Sequence, residues 1–181
     1  GAEIYQQTEV TGIERSAALE WIVKTTKGDI TCEHVVCATG NYARTTAKWV
    51  GLEIPSIPVE HQYIVTDVDP VLAAYRAEGH DELPILRESD SAYYFREERG
   101  GWILGPYERG APACFVDGVP ASFEKDLFPG ALDRLMPHVE ATIKRVPSFE
   151  NAGIKDIING PIAYTPDGNP MVGPAFGLPN F

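Results

Sequence analysis

Val59-Glu60-His61-Gln62-Tyr63-Ile64-Val65-Thr66 is rich in β-branched and aromatic residues and reads as a strand. Tyr93-Tyr94-Phe95-Arg96 and Trp102-Ile103-Leu104 read the same way, and Glu98-Arg99-Gly100-Gly101 between them signals a hairpin. Strands joined by tight turns build an antiparallel sheet. Helices frame these strands. Asp69 is an N-cap with Pro70 at the first helical position, and Gly79 is a stop. Ser122 is expected to cap a helix that begins near Glu124. Leu132, Leu135 and Met136 continue its spacing, and Pro137 is expected to break or kink it, as the first residue of another helix whose apolar face is Val139, Ile143 and Val146. Residues 154–158 and 161–164 read as further strand, and Thr165-Pro166-Asp167-Gly168 as a turn. The expected fold class is α+β: mostly antiparallel strands with helices on one side.

Upstream, Leu19, Trp21 and Val23 alternate with Glu20 and Lys24, the period of a half-buried strand. Lys27-Gly28-Asp29 turns the chain into Ile30-Thr31-Cys32. His34-Val35-Val36-Cys37-Ala38-Thr39-Gly40 is a short apolar run ending in small residues. It reads as a buried strand whose end lets a ligand approach the backbone. Residues 45–50 form a short helical stretch closed by Gly51. This leading section resembles the edge of a nucleotide-binding sheet.

The 181 residues are 44% apolar and 23% charged, enough to build a core without a disulfide or metal staple. A net charge of -11 argues against nucleic acid as a partner, because phosphate binding needs a basic face. No run is apolar enough to span a membrane. Cys32, Cys37 and Cys114 form no C-x-x-C pair and read as free thiols of a reducing compartment. Four scattered histidines make no metal cluster, so no metal site is expected. The sequence lacks the esterase elbow, the P-loop and the G-x-G-x-x-G dinucleotide loop. The chain alone is therefore not expected to hold a dinucleotide well.

Two groups of residues could carry chemistry. His61 stands in a strand near Tyr63, and Tyr93 and Tyr94 present one ring to each face of another. A histidine so placed is more often a satisfied core residue. With a tyrosine beside it, however, it can handle an amine proton near neutral pH. The second group comprises Asn159-Gly160-Pro161 and the turn at residues 165–168, whose backbone could lie against a ligand.

A series of short motifs now falls into a known order. It runs Leu83-Pro84-Ile85-Leu86-Arg87, Tyr93-Tyr94-Phe95-Arg96-Glu97, Gly105-Pro106-Tyr107-Glu108 and Asp117-Gly118-Val119-Pro120. It continues with Arg145-Val146-Pro147, Ala152-Gly153-Ile154, Asn159-Gly160-Pro161, Tyr164-Thr165-Pro166-Asp167-Gly168 and Pro170-Met171-Val172-Gly173-Pro174. Over nearly its whole length the chain resembles the dimethylglycine and sarcosine dehydrogenases of the D-amino-acid-oxidase-like flavoprotein family.

The resemblance implies an FAD-binding domain interleaved with a substrate domain. Residues 1–43 would belong to the first, 44–160 to the second, and 161–181 would return toward the flavin. It implies that an N-methyl amino acid is oxidised by hydride transfer to FAD and then releases formaldehyde. His61, in the H-Q-Y motif, would handle the proton. Tyr94, seven residues after Arg87, would position the substrate or help deprotonate it. Val10, Ala38, Thr39 and Gly40 would lie beside FAD, and Gly160 near its isoalloxazine ring. The substrate carboxylate needs a cation, for which Arg87 and Arg96 are both candidates by type. The G-x-G-x-x-G part, the covalent-flavin histidine and the tetrahydrofolate-binding domain of complete members are not in this sequence. The chain is therefore expected to be an internal piece, from the bacterial cytoplasm or the mitochondrial matrix. A non-catalytic regulatory subunit on the same scaffold is the rival expectation, and retention of both His61 and Tyr94 argues against it.

Overall fold

A computed structural model describes residues 1–181, which pack as two units. The first comprises residues 1–58, 114–122 and 162–181, and the second residues 59–113 and 123–161.

The first unit is built on a three-stranded antiparallel sheet, β1 (Val10–Arg15), β2 (Trp21–Thr25) and β3 (Ile30–Cys32), in the order β1-β2-β3. The hairpin at residues 27–29 sits where the sequence places it, with Trp21 opposite Cys32. Trp21 is buried, with the Arg15 guanidinium 5.0 Å from its ring centroid and the Phe181 ring 5.6 Å away. Leu19 departs from its expected place. It lies in the turn before β2 at φ 65° and is 65% exposed, because Ser16 closes that turn: its carbonyl accepts from Leu19 N–H (3.0 Å) and its own N–H donates to the Glu20 carbonyl (2.9 Å). Helix α1 (Ala43–Trp49) starts two residues before the expected stretch and is closed, as expected, by Gly51, at φ 76°, whose N–H donates to the Lys48 carbonyl.

The run at residues 34–40 is not a strand, and Val36 is 86% exposed. An apolar run becomes a strand only when a neighbour supplies the ladder. Here the backbone is tethered through a single residue instead. Val35 N–H donates to the Asn180 carbonyl (3.1 Å), and Asn180 Nδ2 donates to the Glu33 carbonyl (2.6 Å).

The second unit carries five antiparallel strands: β4 (Ile57–Thr66), β5 (Leu86–Glu88), β6 (Tyr93–Glu98), β7 (Gly101–Pro106) and β8 (Ile154–Tyr164). They stand in the order β5-β6-β7-β4-β8. The β6–β7 hairpin turns on Arg99 and Gly100, both at positive φ (50° and 81°), the geometry of a type I′ turn. Helices α2 (Pro70–Ala77) and α3 (Leu132–Arg145) cover one face. The core there is Ile64, Leu72, Tyr93, Phe95, Trp102, Leu104, Leu135 and Phe149. Asp69 caps α2 as the sequence predicts, accepting from Val71 N–H (2.8 Å) and Leu72 N–H (3.3 Å) through Oδ1. Its Oδ2 accepts from the Trp102 indole at 2.7 Å.

Two helical expectations fail. No helix begins near Glu124; residues 121–130 are turn and loop, ending in a bridge between Phe128 and Asn159. Nor does Pro137 break α3, which runs through it. A proline removes one intrahelical hydrogen bond and crowds the carbonyl four residues back. Both effects fall here on Asp133, in the first turn. Pro137 and Asp133 lie on the exposed side, where water can satisfy that carbonyl, while Leu135 anchors the opposite side in the core.

Candidate active site

The register of the larger sheet decides which side chains meet. Ile64 lies opposite Leu104, and Phe95 opposite Leu104, all on the helix-covered face. Alternation then sends their neighbours to the other face. That open face carries Arg87 from β5, Tyr94 and Arg96 from β6, Ile103 and Gly105 from β7, and His61, Tyr63 and Val65 from β4.

Gly105 lies directly opposite Tyr94. A Cβ at Gly105 would come within 2.0 Å of the Tyr94 ring, so the missing side chain is what lets this phenol lie across β7. Just past β7 stands Tyr107, which gathers the other groups. Its ring centroid is 5.6 Å from His61 and 6.0 Å from Tyr94, and the Arg87 guanidinium lies 5.9 Å away. The sequence reading brings His61 and Tyr94 to notice. It assigns no role to Tyr107 or Gly105, which appear only as letters of one short motif. Their part becomes visible once β6 and β7 are paired in register.

Burial lowers the His61 pKa from its ordinary value, with the nearby Glu108 charge opposing the shift, so the imidazole is neutral near pH 7. Burial first, then Tyr107 and Tyr63, raises the Tyr94 phenol, with Arg96 and Arg87 opposing. Tyr94 is thus a hydrogen-bond donor, not a ready base.

Behind His61 the two flanking residues of β4 are held from the opposite face. Arg134 of α3 ion-pairs with Glu60 and grips Glu108, with Nε–Oε2 at 2.7 Å and Nη2–Oε1 at 3.0 Å. Asn159 Nδ2 also donates to Glu60 Oε2 (3.1 Å) and to the Pro129 carbonyl (3.0 Å). Gln62 exchanges two hydrogen bonds with the Ala131 backbone. With Glu60 and Gln62 anchored, the direction of His61 between them is set. Asn159 faces this network, so Gly160 of β8 turns toward the opposite face. A Cβ there would meet only Leu127, at 3.6 Å.

The remaining sequence-predicted residues lie in the first unit. Val10 begins β1 opposite Thr25, beside an irregularity in the ladder. Ala38, Thr39 and Gly40 are exposed. Thr39 Oγ1 is 3.0 Å from Thr46 Oγ1. Gly40 sits at φ 56°, and a Cβ on it would meet nothing within 4 Å. Three small, uncovered residues in a row fit a cofactor such as FAD that must lie close against backbone.

The chain is 39% identical to human mitochondrial dimethylglycine dehydrogenase, covering 100% of this chain and 21% of that protein. It is 32% identical to mouse mitochondrial sarcosine dehydrogenase, covering 100% of this chain and 19% of that protein. It therefore spans about a fifth of the length of the curated relatives it matches. Among solved structures it superposes on L-proline dehydrogenase from P. horikoshii with a TM-score of 0.73 and 27% identity, over 99% of this chain and 44% of that one. Glycine oxidase from Geobacillus kaustophilus shares the fold, with a TM-score of 0.62 and 23% identity over 94% of this chain and 40% of that one. Residues 1–181 match the FAD dependent oxidoreductase family throughout, and the chain belongs to that family.

Proposed function

We propose that this chain is part of an FAD-dependent amine dehydrogenase that demethylates N-methyl glycines, dimethylglycine or sarcosine, with His61 and Tyr94 facing the substrate. The observation that carries this reading is the convergence of both rings on Tyr107, on a sheet face that the helices leave uncovered. The resemblance to dimethylglycine and sarcosine dehydrogenases supports the choice of substrate.

The substrate amine enters as an ammonium, whose nitrogen has no lone pair to assist loss of hydride from the methyl carbon. Neutral His61 accepts that proton. The protonated Tyr94 phenol donates a hydrogen bond that orients the substrate, and Gly105 keeps the ring where it can do so. FAD, when bound, supplies the two-electron acceptor for the hydride; Val10, Ala38, Thr39, Gly40 and Gly160 are the residues that would hold it. Water then adds to the substrate iminium, releasing formaldehyde and the demethylated amino acid. A tetrahydrofolate-binding domain of the full-length protein would take up the one-carbon unit.

The test is the flavin absorbance of the full-length protein before and after anaerobic dimethylglycine. Bleaching of the flavin band is expected. A flavin that stays oxidised with both dimethylglycine and sarcosine overturns the substrate assignment, and a full-length protein without flavin overturns the reading altogether.

A further inference from the structure

Two arginines share the open face with Tyr94, and the structure separates them. Arg96 is already committed: its Nη1 donates to Glu98 Oε2 at 2.7 Å and to the Glu97 carbonyl at 2.8 Å. Arg87 takes part in no ion pair. Nearby acids are engaged elsewhere: Glu88 lies 3.9 Å from Arg145, and Glu108 is gripped by Arg134. Arg87 is paired in register with Tyr94, and its guanidinium lies over the Tyr107 ring. A guanidinium resting on an aromatic face is steadied by that contact, while its N–H groups, which lie in the guanidinium plane, can still donate at its edge.

We infer that Arg87, resting on Tyr107, binds the carboxylate of the substrate. His61 and Arg87 both approach the Tyr107 ring, at 5.6 and 5.9 Å. An α-amino acid carries its amine and carboxylate on a single carbon, so one small molecule can present its nitrogen to His61 and its carboxylate to Arg87. The two parallel N–H donors of a guanidinium match the two oxygens of a carboxylate. Arg87 thereby restricts the substrate class to amines that bear an adjacent carboxylate, and amines without one are poor substrates. This assignment rests on the proposed function for its substrate, and on the arrangement of Arg87, Arg96 and Tyr107 for the choice of residue.

The test compares the full-length holoenzyme with its Arg87→Met, Arg87→Lys and Arg96→Met variants, each checked for retained flavin. Two substrates are used, dimethylglycine and its amide N,N-dimethylglycinamide, along with methylthioacetate, a carboxylate with no amine to oxidise. Arg87→Met should raise KM for dimethylglycine on the order of 30-fold or more. It should change KM for the amide by less than about threefold and abolish the flavin spectral shift on methylthioacetate binding. Arg87→Lys should recover part of the loss, and Arg96→Met should leave the discrimination between the two amines intact. Equal losses for both amines, or no loss for dimethylglycine, would overturn the assignment. If the wild-type protein oxidises neither amine, the proposed reaction fails, and Arg87 is judged by methylthioacetate alone. Binding that Arg87→Met removes then supports the carboxylate site; binding that it leaves unchanged, or absent from the wild type, rejects it.

Discussion

His61 is useful as a base only where its imidazole is uncharged, and burial gives it that state by lowering its pKa below the ordinary 6.5. If it accepts the substrate proton, kcat/KM should rise with pH through an inflection below 6.5 and level off above it. His61→Ala should lower kcat by about 100-fold and remove that acid limb, as stopped-flow flavin reduction across the pH range would show. The same depressed pKa has a stability consequence. The unfolded imidazole binds a proton more readily than the folded one. Stability from this group is therefore present above 6.5 and is lost as pH falls through the lower folded value. Gly105 is the second decisive residue. Gly105→Ala would drive a methyl group into the Tyr94 ring, so Tyr94 must move. The expected result is a fall in kcat/KM on the order of 10- to 100-fold and a stability loss of about 1–3 kcal/mol, measured by steady-state kinetics and urea denaturation. Unchanged kinetics would remove Tyr94 from the site.

Helix α2 depends on one carboxylate with two duties. Asp69 closes the first turn and takes the Trp102 indole proton, so it ties the helix to β7 as well as starting it. Asp69→Ala should cost about 2–4 kcal/mol, more than a cap alone, because the buried indole N–H loses its acceptor too. Urea unfolding of Asp69→Ala and Asp69→Asn checks this, with the asparagine retaining part of the stability through its remaining acceptor. Helix α3 tests the reverse case. Pro137→Ala restores the missing bond to Asp133 without touching the core, and should raise stability by about 1–3 kcal/mol. These two helices also show what was legible locally. Asp69-Pro70 announces a helix start because capping acts over three residues. Pro137 misleads as a breaker because its effect depends on which side of the helix faces water, a matter settled by Leu135 packing on the sheet.

At the scale of the whole molecule, Arg134 joins α3 to β4 and to the chain beyond β7 through Glu60 and Glu108. Arg134→Met should destabilise the protein by about 2–4 kcal/mol at neutral pH, since two carboxylates would share a partly buried place without a cation. The hydrogen bond from Arg134 holds the Glu60 carboxyl below its ordinary 4.5. The stability it contributes is present above 4.5 and is lost as pH falls through the lowered folded value. Arg134→Met should therefore be less sensitive to acid, and denaturation at about pH 7 and about pH 3.5 would reveal it. By itself the sequence determined what acts over short stretches: the β6–β7 hairpin, the cap of α2, and the alternation that divides Tyr93 from Tyr94. Its ordered motifs also carried the family, because many short agreements in sequence order survive even when each is weak. Tertiary structure alone decided that Gly105 makes room for Tyr94, and that Tyr107 stands among His61, Tyr94 and Arg87. Those facts depend on strand register, which brings together residues far apart along the chain, whereas turn, cap and alternation energies reach only a few residues either way.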